Sequence, residues 1–106
     1  MKTVKELIVK EFQLTKQELP DEEQELLLWL SDYTAYLLEE RKEYLMSMMY
    51  RMDISEELVS HALSPLNLEA TNVSIAKLIL ERQKERAFTK AFYRQEKGTI
   101  EDDLKW

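Results

Sequence analysis

Residues 73–96 read VSIAKLILERQKERAFTKAFYRQE, and this stretch decides the fold of the chain. Its first part, IAKLIL (residues 75–80), is apolar nearly all round a helix except at Lys77, which is typical of a helix buried on several sides. From Glu81 onward the apolar residues occupy only part of the helix surface. We therefore expect one long helix whose first half lies in a core or a subunit interface and whose second half extends along its edge.

Signals for helix ends flank this stretch. Thr71 or Asn72 can cap the helix N-terminus, and Gly98 is well placed to end the helix. Residues 99–106, TIEDDLKW, follow as an acidic C-terminal tail. Because a chain of 106 residues buries only a small core, we expect residues 1–98 to form a single helical domain.

A second long helix is predicted over residues 21–52. Its apolar side chains on one narrow arc are Leu26, Leu30, Tyr33, Leu37, Tyr44 and Met48. At 1.5 Å per residue such a helix is roughly 48 Å long. This length exceeds what a compact domain of this size covers, so we expect part of the helix to contact another protein.

Two shorter helices complete the prediction. Apolar residues recur at helical spacing over residues 3–12, which predicts an N-terminal helix. A short connecting helix is predicted over residues 56–63, with Asp53 or Ser55 as its N-cap and Pro65 beyond its end. One Gly and two Pro leave few residues for tight hairpin turns, so the class is all-α. The expected fold is a small helical bundle built on a long antiparallel helix pair, with the short connecting helix and the N-terminal helix laid over it.

Four basic residues of the last helix are spaced four apart and form the basic stripe: Arg82, Arg86, Lys90 and Arg94. Like charges at this spacing repel one another, so the stripe gains from nearby negative charge. Residues 18–43 hold nine acidic and two basic side chains. An antiparallel register then places acidic residues against the stripe in the pairs Glu43–Arg82, Glu39–Arg86 and Asp32–Arg94. We expect the basic stripe to be matched by charge within the chain.

The basic stripe also lies close to Phe88, Phe92 and Tyr93, and basic residues beside aromatic ones are typical of a nucleic-acid surface. The formal net charge of −6 and the isoelectric point near 4.9 weaken long-range attraction to a polyanion. Phe88 and Phe92, four residues apart, are more simply explained as core residues. A small nucleic-acid-associated protein is therefore the second hypothesis.

The segment LMSMMYRM (residues 45–52) contains four of the five methionines. Methionine suits irregular cores and adaptable binding surfaces alike. Met46 and Met49 fall outside the apolar arc of the second helix, so this segment has apolar surface on more than one side. Either the first helix or the short helix covers that surface, or a second protomer or a partner protein does. The candidate partner-binding residues are Met46, Met49, Ile75, Arg82, Arg86, Lys90 and Arg94.

The sequence offers little for catalysis or for cofactors. The absence of Cys excludes a thiolate nucleophile and a thiolate metal site, and there is no Gly-rich phosphate loop. His61, the single histidine, follows Glu57 by four positions, which is not the Glu-x-x-His spacing of di-iron bundles. We expect a surface or helix-capping role for His61, no catalytic, cofactor-binding or metal-binding residue, and no enzyme activity.

No apolar run approaches the roughly 20 residues that cross a bilayer, and the run Leu7–Val9 is too short for a signal peptide. The lack of Cys fits a reducing compartment. We expect a cytoplasmic protein without membrane binding. The functional hypothesis is a non-enzymatic interaction or adaptor protein that acts through helix surfaces as a homodimer, and an accessory subunit of an enzyme complex is a third option.

Overall fold

The computed structural model describes residues 1–14 and 19–99, with side chains as far as Tyr93. Within these ranges the chain is all-α and forms five helices: α1 (Lys2–Glu11), α2 (Glu23–Glu40), α3 (Lys42–Arg51), α4 (Glu56–Leu63) and α5 (Thr71–Thr99). The most extensive packing joins α2 to α5. The all-α bundle predicted from the sequence is therefore confirmed.

The long helix α5 is the axis of the bundle, because α1, α2 and α4 all pack against it. Ile75 and Ile79 are fully buried, and this confirms that IAKLIL belongs to a core covered on several sides. Other helices complete this core with the fully buried side chains Ile8, Leu26, Leu30, Leu37, Leu45, Met48, Met49 and Met52. A single chain thus buries both IAKLIL and most of the methionine-rich segment, so no second subunit is needed to cover them.

The prediction of one helix over residues 21–52 is wrong. The helix breaks at Arg41, whose φ of −145° and ψ of 55° are not helical. Arg41 ends α2 and begins α3, which lets Leu45 and Met49 of α3 pack into the same core as α2. Because the rod of roughly 48 Å does not form, its length no longer indicates a partner.

The helices α2 and α5 are antiparallel, as predicted, but in a different register. Near the start of α5, Asn72 Nδ2 donates to the carbonyl oxygen of Ser31 at 3.1 Å. Further along α5, Lys84 Nζ donates to Glu23, the first residue of α2, at 2.9 Å. The bond to Glu23 raises the pKa of Lys84 above its ordinary value. Arg82 contacts Met52 and Asp53, and Arg86 contacts Glu11, so the predicted pairs Glu43–Arg82 and Glu39–Arg86 are wrong. The predicted pair Asp32–Arg94 lies outside the described part of the structure, because the side chain of Arg94 is not described.

The end of α3 is a Schellman motif with Asp53 in the left-handed region, at φ 62°. The Asp53 N–H donates to the Tyr50 carbonyl at 3.0 Å, and the Ile54 N–H donates to the Met49 carbonyl at 3.1 Å. Asp53 therefore terminates α3 and does not cap α4. The alternative cap predicted from the sequence, Ser55, is the N-cap of α4, and its hydroxyl accepts a hydrogen bond from the Leu58 N–H at 3.5 Å.

The remaining boundaries match the sequence predictions to different degrees. Helix α4 has the predicted bounds, and α1 differs from its prediction by one residue at each end. Thr71 and Asn72 lie inside the first turn of α5, so neither is its N-cap. Gly98 lies within α5, so the prediction that it ends the helix is wrong. Of the predicted acidic tail, residues 100–106 lie outside the described part of the chain.

Candidate interaction surfaces

Arg82, the first residue of the basic stripe, caps α3 from a different helix. Its Nε donates to the Met52 carbonyl oxygen at 2.7 Å, and its guanidinium lies 4.0 Å from the Asp53 carboxylate and 3.2 Å from Glu85. Met52 is the C-cap of α3, where carbonyl groups lack partners within the helix and a cation is favoured. Arg82 is therefore a structural residue at the junction of α3 and α4.

Arg86, one turn further along α5, is also held inside the chain. Its Nη1 donates to Glu11 Oε1 at 3.2 Å, and Arg51 lies 3.9 Å from the other oxygen of the same carboxylate. Gln83 is fully buried beside this pair and donates from Nε2 to the sulfur of Met52 at 3.0 Å. The first half of the basic stripe is thus matched within the chain, although by partners other than the predicted ones.

The second half of the basic stripe differs from the first. Lys90 is exposed and has no ion-pair partner among the described side chains. The side chain of Arg94 lies outside the described part of the structure. The basic stripe therefore divides into two arginines that stabilise the fold and a basic end that begins at Lys90.

The six residues 88–93 of α5 are all exposed, and we name them the α5 extension. Phe88 keeps 74% of its full exposure and Phe92 keeps 50%. The prediction that these two phenylalanines are core residues is wrong, because α2 already begins beside Lys84 and α5 runs on past that point. Phe88 and Phe92, four residues apart, project from one side of the α5 extension, and Lys90 projects from the opposite side.

The outer side of α2 combines acidic and apolar side chains, and we name it the acidic face: Glu25, Leu28, Asp32, Ala35, Tyr36 and Glu39. Leu28 is 66% exposed, and Tyr36 is 52% exposed with its ring stacked on Tyr33 at 6.3 Å. The three carboxylates of the acidic face have no ion-pair partner among the described side chains. This face is therefore an acidic, partly apolar surface that the fold itself leaves unmatched.

The sequence contained a signal for the acidic face. Glu25, Asp32 and Glu39 recur every seven residues, and Leu28 and Ala35 have the same spacing, so all five share one side of a helix. Sequence reasoning instead paired two of these carboxylates, Asp32 and Glu39, with the basic stripe of the same chain. The observed register, which pairs Lys84 with Glu23, shows that they point elsewhere.

The predicted methionine surface lies at a groove between α3 and α4 with a volume of about 320 Å³. Met46 is half-buried at this groove, Met49 is almost fully buried in it, and Tyr50 is exposed beside it. Ile75, the other apolar candidate, is fully buried in the core. A partner that leaves the fold intact can therefore contact Met46 but not the side chain of Ile75.

Within the described residues, no group of three or more acidic, histidine or cysteine side chains is arranged to hold a metal ion. His61 is exposed on α4, in its last turn. In the same part of the chain, none of the helices has the length and apolar character required to span a bilayer.

No model of a known protein family matches the chain, and neither a curated protein nor a solved structure matches it. Function is therefore inferred from the surfaces of this chain alone. Among the described residues, the α5 extension and the acidic face are two surfaces that combine exposed apolar side chains with charged groups that have no ion-pair partner.

Proposed function

We propose that the chain is a non-enzymatic protein–protein interaction module, an adaptor that acts through helix surfaces, and that the α5 extension is its binding element. The observation that supports this proposal is the exposure of Phe88 and Phe92 on a helical segment that runs past the core. Burial of an aromatic ring contributes about 1.5–3 kcal/mol. A short helical segment without tertiary contacts is marginal in water, so a partner that covers it also stabilises the helix.

The chemistry of the α5 extension defines the partner that fits it. Phe88 and Phe92 are four residues apart, so they project from one side of the helix, as anchors do when an amphipathic helix binds a complementary surface. Lys90 projects from the opposite side of the helix, and Arg94 and Lys97 follow in the sequence. The fitting partner is an apolar protein surface that buries the two rings, and negative charge on that partner would steer the encounter through the exposed Lys90. A homodimer and a complex with another protein would both use this segment.

Association with nucleic acid is the second candidate function, and the exposure of Lys90, Phe88 and Phe92 on one helical segment favours it. Two of the four stripe residues, Arg82 and Arg86, are already engaged with Met52 and Glu11. Nucleic-acid affinity grows with the number of phosphates neutralised, so this engagement weakens the second candidate relative to the first. For either function we propose a cytoplasmic location, which the absence of Cys supports.

The proposed function is tested by placing a photoactivatable phenylalanine analogue at position 88 and cross-linking in living cells. The matched control carries the analogue at position 68, because Leu68 is fully exposed in the connector before α5. A discrete protein adduct from position 88, absent from position 68 and lost on Phe92→Ser, which removes the second ring from the same side of the helix, is the expected result. Adducts that are equal at both positions, or adducts to nucleic acid from position 88, would contradict the proposal.

A further inference from the structure

We infer that two copies of this chain exchange their N-terminal halves, with Arg41 as the hinge. In this exchanged dimer α2 and α3 form one continuous helix, and α1 and α2 of each chain pack on α3, α4 and α5 of the other. This mode of association goes beyond the proposed function, because it does not depend on the α5 extension. The backbone at Arg41, the pattern of buried residues and the contacts between the two halves carry the inference.

The break between α2 and α3 leaves backbone groups without helical partners. The Arg41 N–H donates to the Leu37 carbonyl at 2.8 Å, and the Leu45 N–H donates to the Arg41 carbonyl at 3.1 Å. Between these two bonds, the N–H groups of residues 42–44 make no helical hydrogen bond within the described chain, and no side chain caps α3 there. A continuous helix would pair these three N–H groups with the carbonyls of residues 38–40. Straightening at Arg41 therefore adds three backbone hydrogen bonds per chain.

The buried residues of α2 and α3 would share one face of a continuous helix. Helix α2 has five of them, from Leu26 to Leu37, and α3 has three, from Leu45 to Met49. At 3.6 residues per turn, all of these residues fall within an arc of about 140° if the helix continues through Arg41. The same apolar pattern therefore suits a bent pair of helices in one chain and a straight helix shared between two chains.

The side chain of Arg41 opposes the straight form. In a continuous helix it would lie near the centre of this apolar arc, where burial of an unpaired guanidinium costs free energy. In the fold of one chain it is exposed, and its guanidinium lies 4.3 Å from the centre of the Tyr44 ring. Arg41 therefore favours the closed chain, whereas the backbone around it favours the straight helix, so residue 41 controls the balance between them.

The contacts between the two halves of the chain are available to a second copy without change. Packing of α2 on α5, of α1 on α5 and of α2 on α3 all joins residues before Arg41 to residues after it. The hydrogen-bonded pairs that join the halves include Ser31–Asn72, Glu23–Lys84 and Glu11–Arg86. An exchanged dimer forms every one of these contacts between chains. It therefore gains the backbone bonds of the straight helix and loses mainly the freedom of two separate chains.

The inference is tested by sedimentation velocity of the purified full chain, equilibrated at about 1 mM. Wild type is expected to show a species of twice 12.7 kDa beside the monomer. Arg41→Leu removes the charge from the apolar arc, and we expect it to raise the association constant at least about tenfold. Lys42→Pro should lower the association constant at least about tenfold. Proline is favoured at the first residue of a helix, which Lys42 is in the closed chain, but it disrupts a helix interior.

Chemical cross-linking shows whether the dimer is exchanged, because the chain has no Cys and introduced thiols are the only ones. Glu23→Cys with Lys84→Cys places one thiol in each half, at positions whose native side chains are hydrogen-bonded. A short bis-maleimide should join these thiols between two chains in the isolated dimer and within one chain in the monomer. The control is Glu69→Cys with Lys77→Cys, a native ion pair that lies within the second half. Its cross-link should stay within one chain in both species.

Three results would overturn the inference. They are a wild-type chain that stays monomeric at about 1 mM, Arg41→Leu that associates no more strongly than wild type, and a dimer in which the link between positions 23 and 84 stays within one chain. Circular dichroism establishes that each variant is folded. If Lys42→Pro does not fold, Arg41→Gly takes its place, because glycine disfavours a continuous helix. Association of that variant as strong as that of wild type would also exclude the exchange.

Discussion

Arg82 Nε donates a 2.7 Å hydrogen bond to the carbonyl oxygen of Met52, joining the middle of α5 to the C-cap of α3. Met52 is itself 1% exposed, and its sulfur accepts a hydrogen bond from the buried Gln83. The contact therefore fixes the junction between α3 and α4 against the central helix. It also assigns a structural role to Arg82, which the sequence analysis gave as a candidate partner-binding residue.

Removal of this contact should destabilise the fold. Arg82→Met keeps most of the side-chain stem and removes the donor, so we expect a loss of about 2 kcal/mol in the free energy of unfolding. Lys90→Met is the matched control, and we expect it to change stability by less than about 0.5 kcal/mol. Urea unfolding followed by circular dichroism measures both variants. Equal effects of the two substitutions would show that Arg82 does not hold the junction.

The left-handed backbone at Asp53 gives a second prediction. Asp53 has φ 62°, where a side chain costs roughly 1 kcal/mol relative to glycine, and its carboxylate is 91% exposed and 4.0 Å from Arg82. Such an exposed ion pair contributes little. We therefore expect Asp53→Gly to raise the midpoint of urea unfolding and Asp53→Ala to leave it unchanged or lower it. A loss of stability in both variants would mean that the ion pair outweighs the backbone cost.

The prediction of the fold was correct where local sequence signals were strong, and it failed where tertiary packing determined the structure. Apolar spacing defined α1, and the cap Ser55 together with Pro65 beyond the helix end defined α4. Arg41 gave no such signal, because neither Gly nor Pro lies near it and its neighbours favour helix. Its guanidinium lies 4.3 Å from the centre of the Tyr44 ring, and the break places α3 in the core. Tertiary contacts thus override a continuous helical pattern.

The interaction surfaces were predictable only in part. The sequence placed Arg82 and Arg86 on one stripe with internal partners, but only the observed register identifies Met52 and Glu11. Periodicity indicates which side of a helix is apolar and not whether another element covers that side. Phe88 was for this reason assigned to the core, although α5 extends past every helix that could bury it in the described chain.

The connector before α5 provides a prediction for acidic pH. Glu69 accepts hydrogen bonds from Lys77 Nζ and, at 2.9 Å, from the Ser74 hydroxyl, and these bonds lower the pKa of Glu69 below its ordinary value of 4.5. The contribution of these hydrogen bonds to the free energy of unfolding is fully present when the pH lies above the ordinary pKa of Glu69. It is lost as the pH falls through the lowered pKa of Glu69 in the folded chain.

The wild-type chain should therefore lose more stability between about pH 5 and pH 3 than Glu69→Gln, in thermal melts followed by circular dichroism. Because Glu69 is largely exposed, we expect the difference to be small. Glu57→Gln, at an exposed position on α4, is the control and should match wild type across this range. A Glu69→Gln curve parallel to that of wild type would exclude a stabilising role for this carboxylate.

A buried hydroxyl in α2 predicts a stabilising substitution. Thr34 is fully buried, and its Oγ1 has no hydrogen-bond partner among the described protein atoms. Thr34→Val keeps the shape and removes the buried polar group, so we expect a gain of about 1 kcal/mol in the free energy of unfolding. Thr34→Ser, which keeps the hydroxyl and removes a methyl group, should lose about 1 kcal/mol. Destabilisation by valine would show that the hydroxyl has a partner.

The central claim is that the fold of one chain leaves the α5 extension exposed for a partner protein to bind. The most direct test is the rate of backbone amide hydrogen exchange in residues 88–93, measured by mass spectrometry on the purified chain at about 1 µM. We predict that these amides exchange much faster than those of residues 75–80, because no other described helix covers them. Exchange in residues 88–93 that is as slow as in residues 75–80 would contradict the claim.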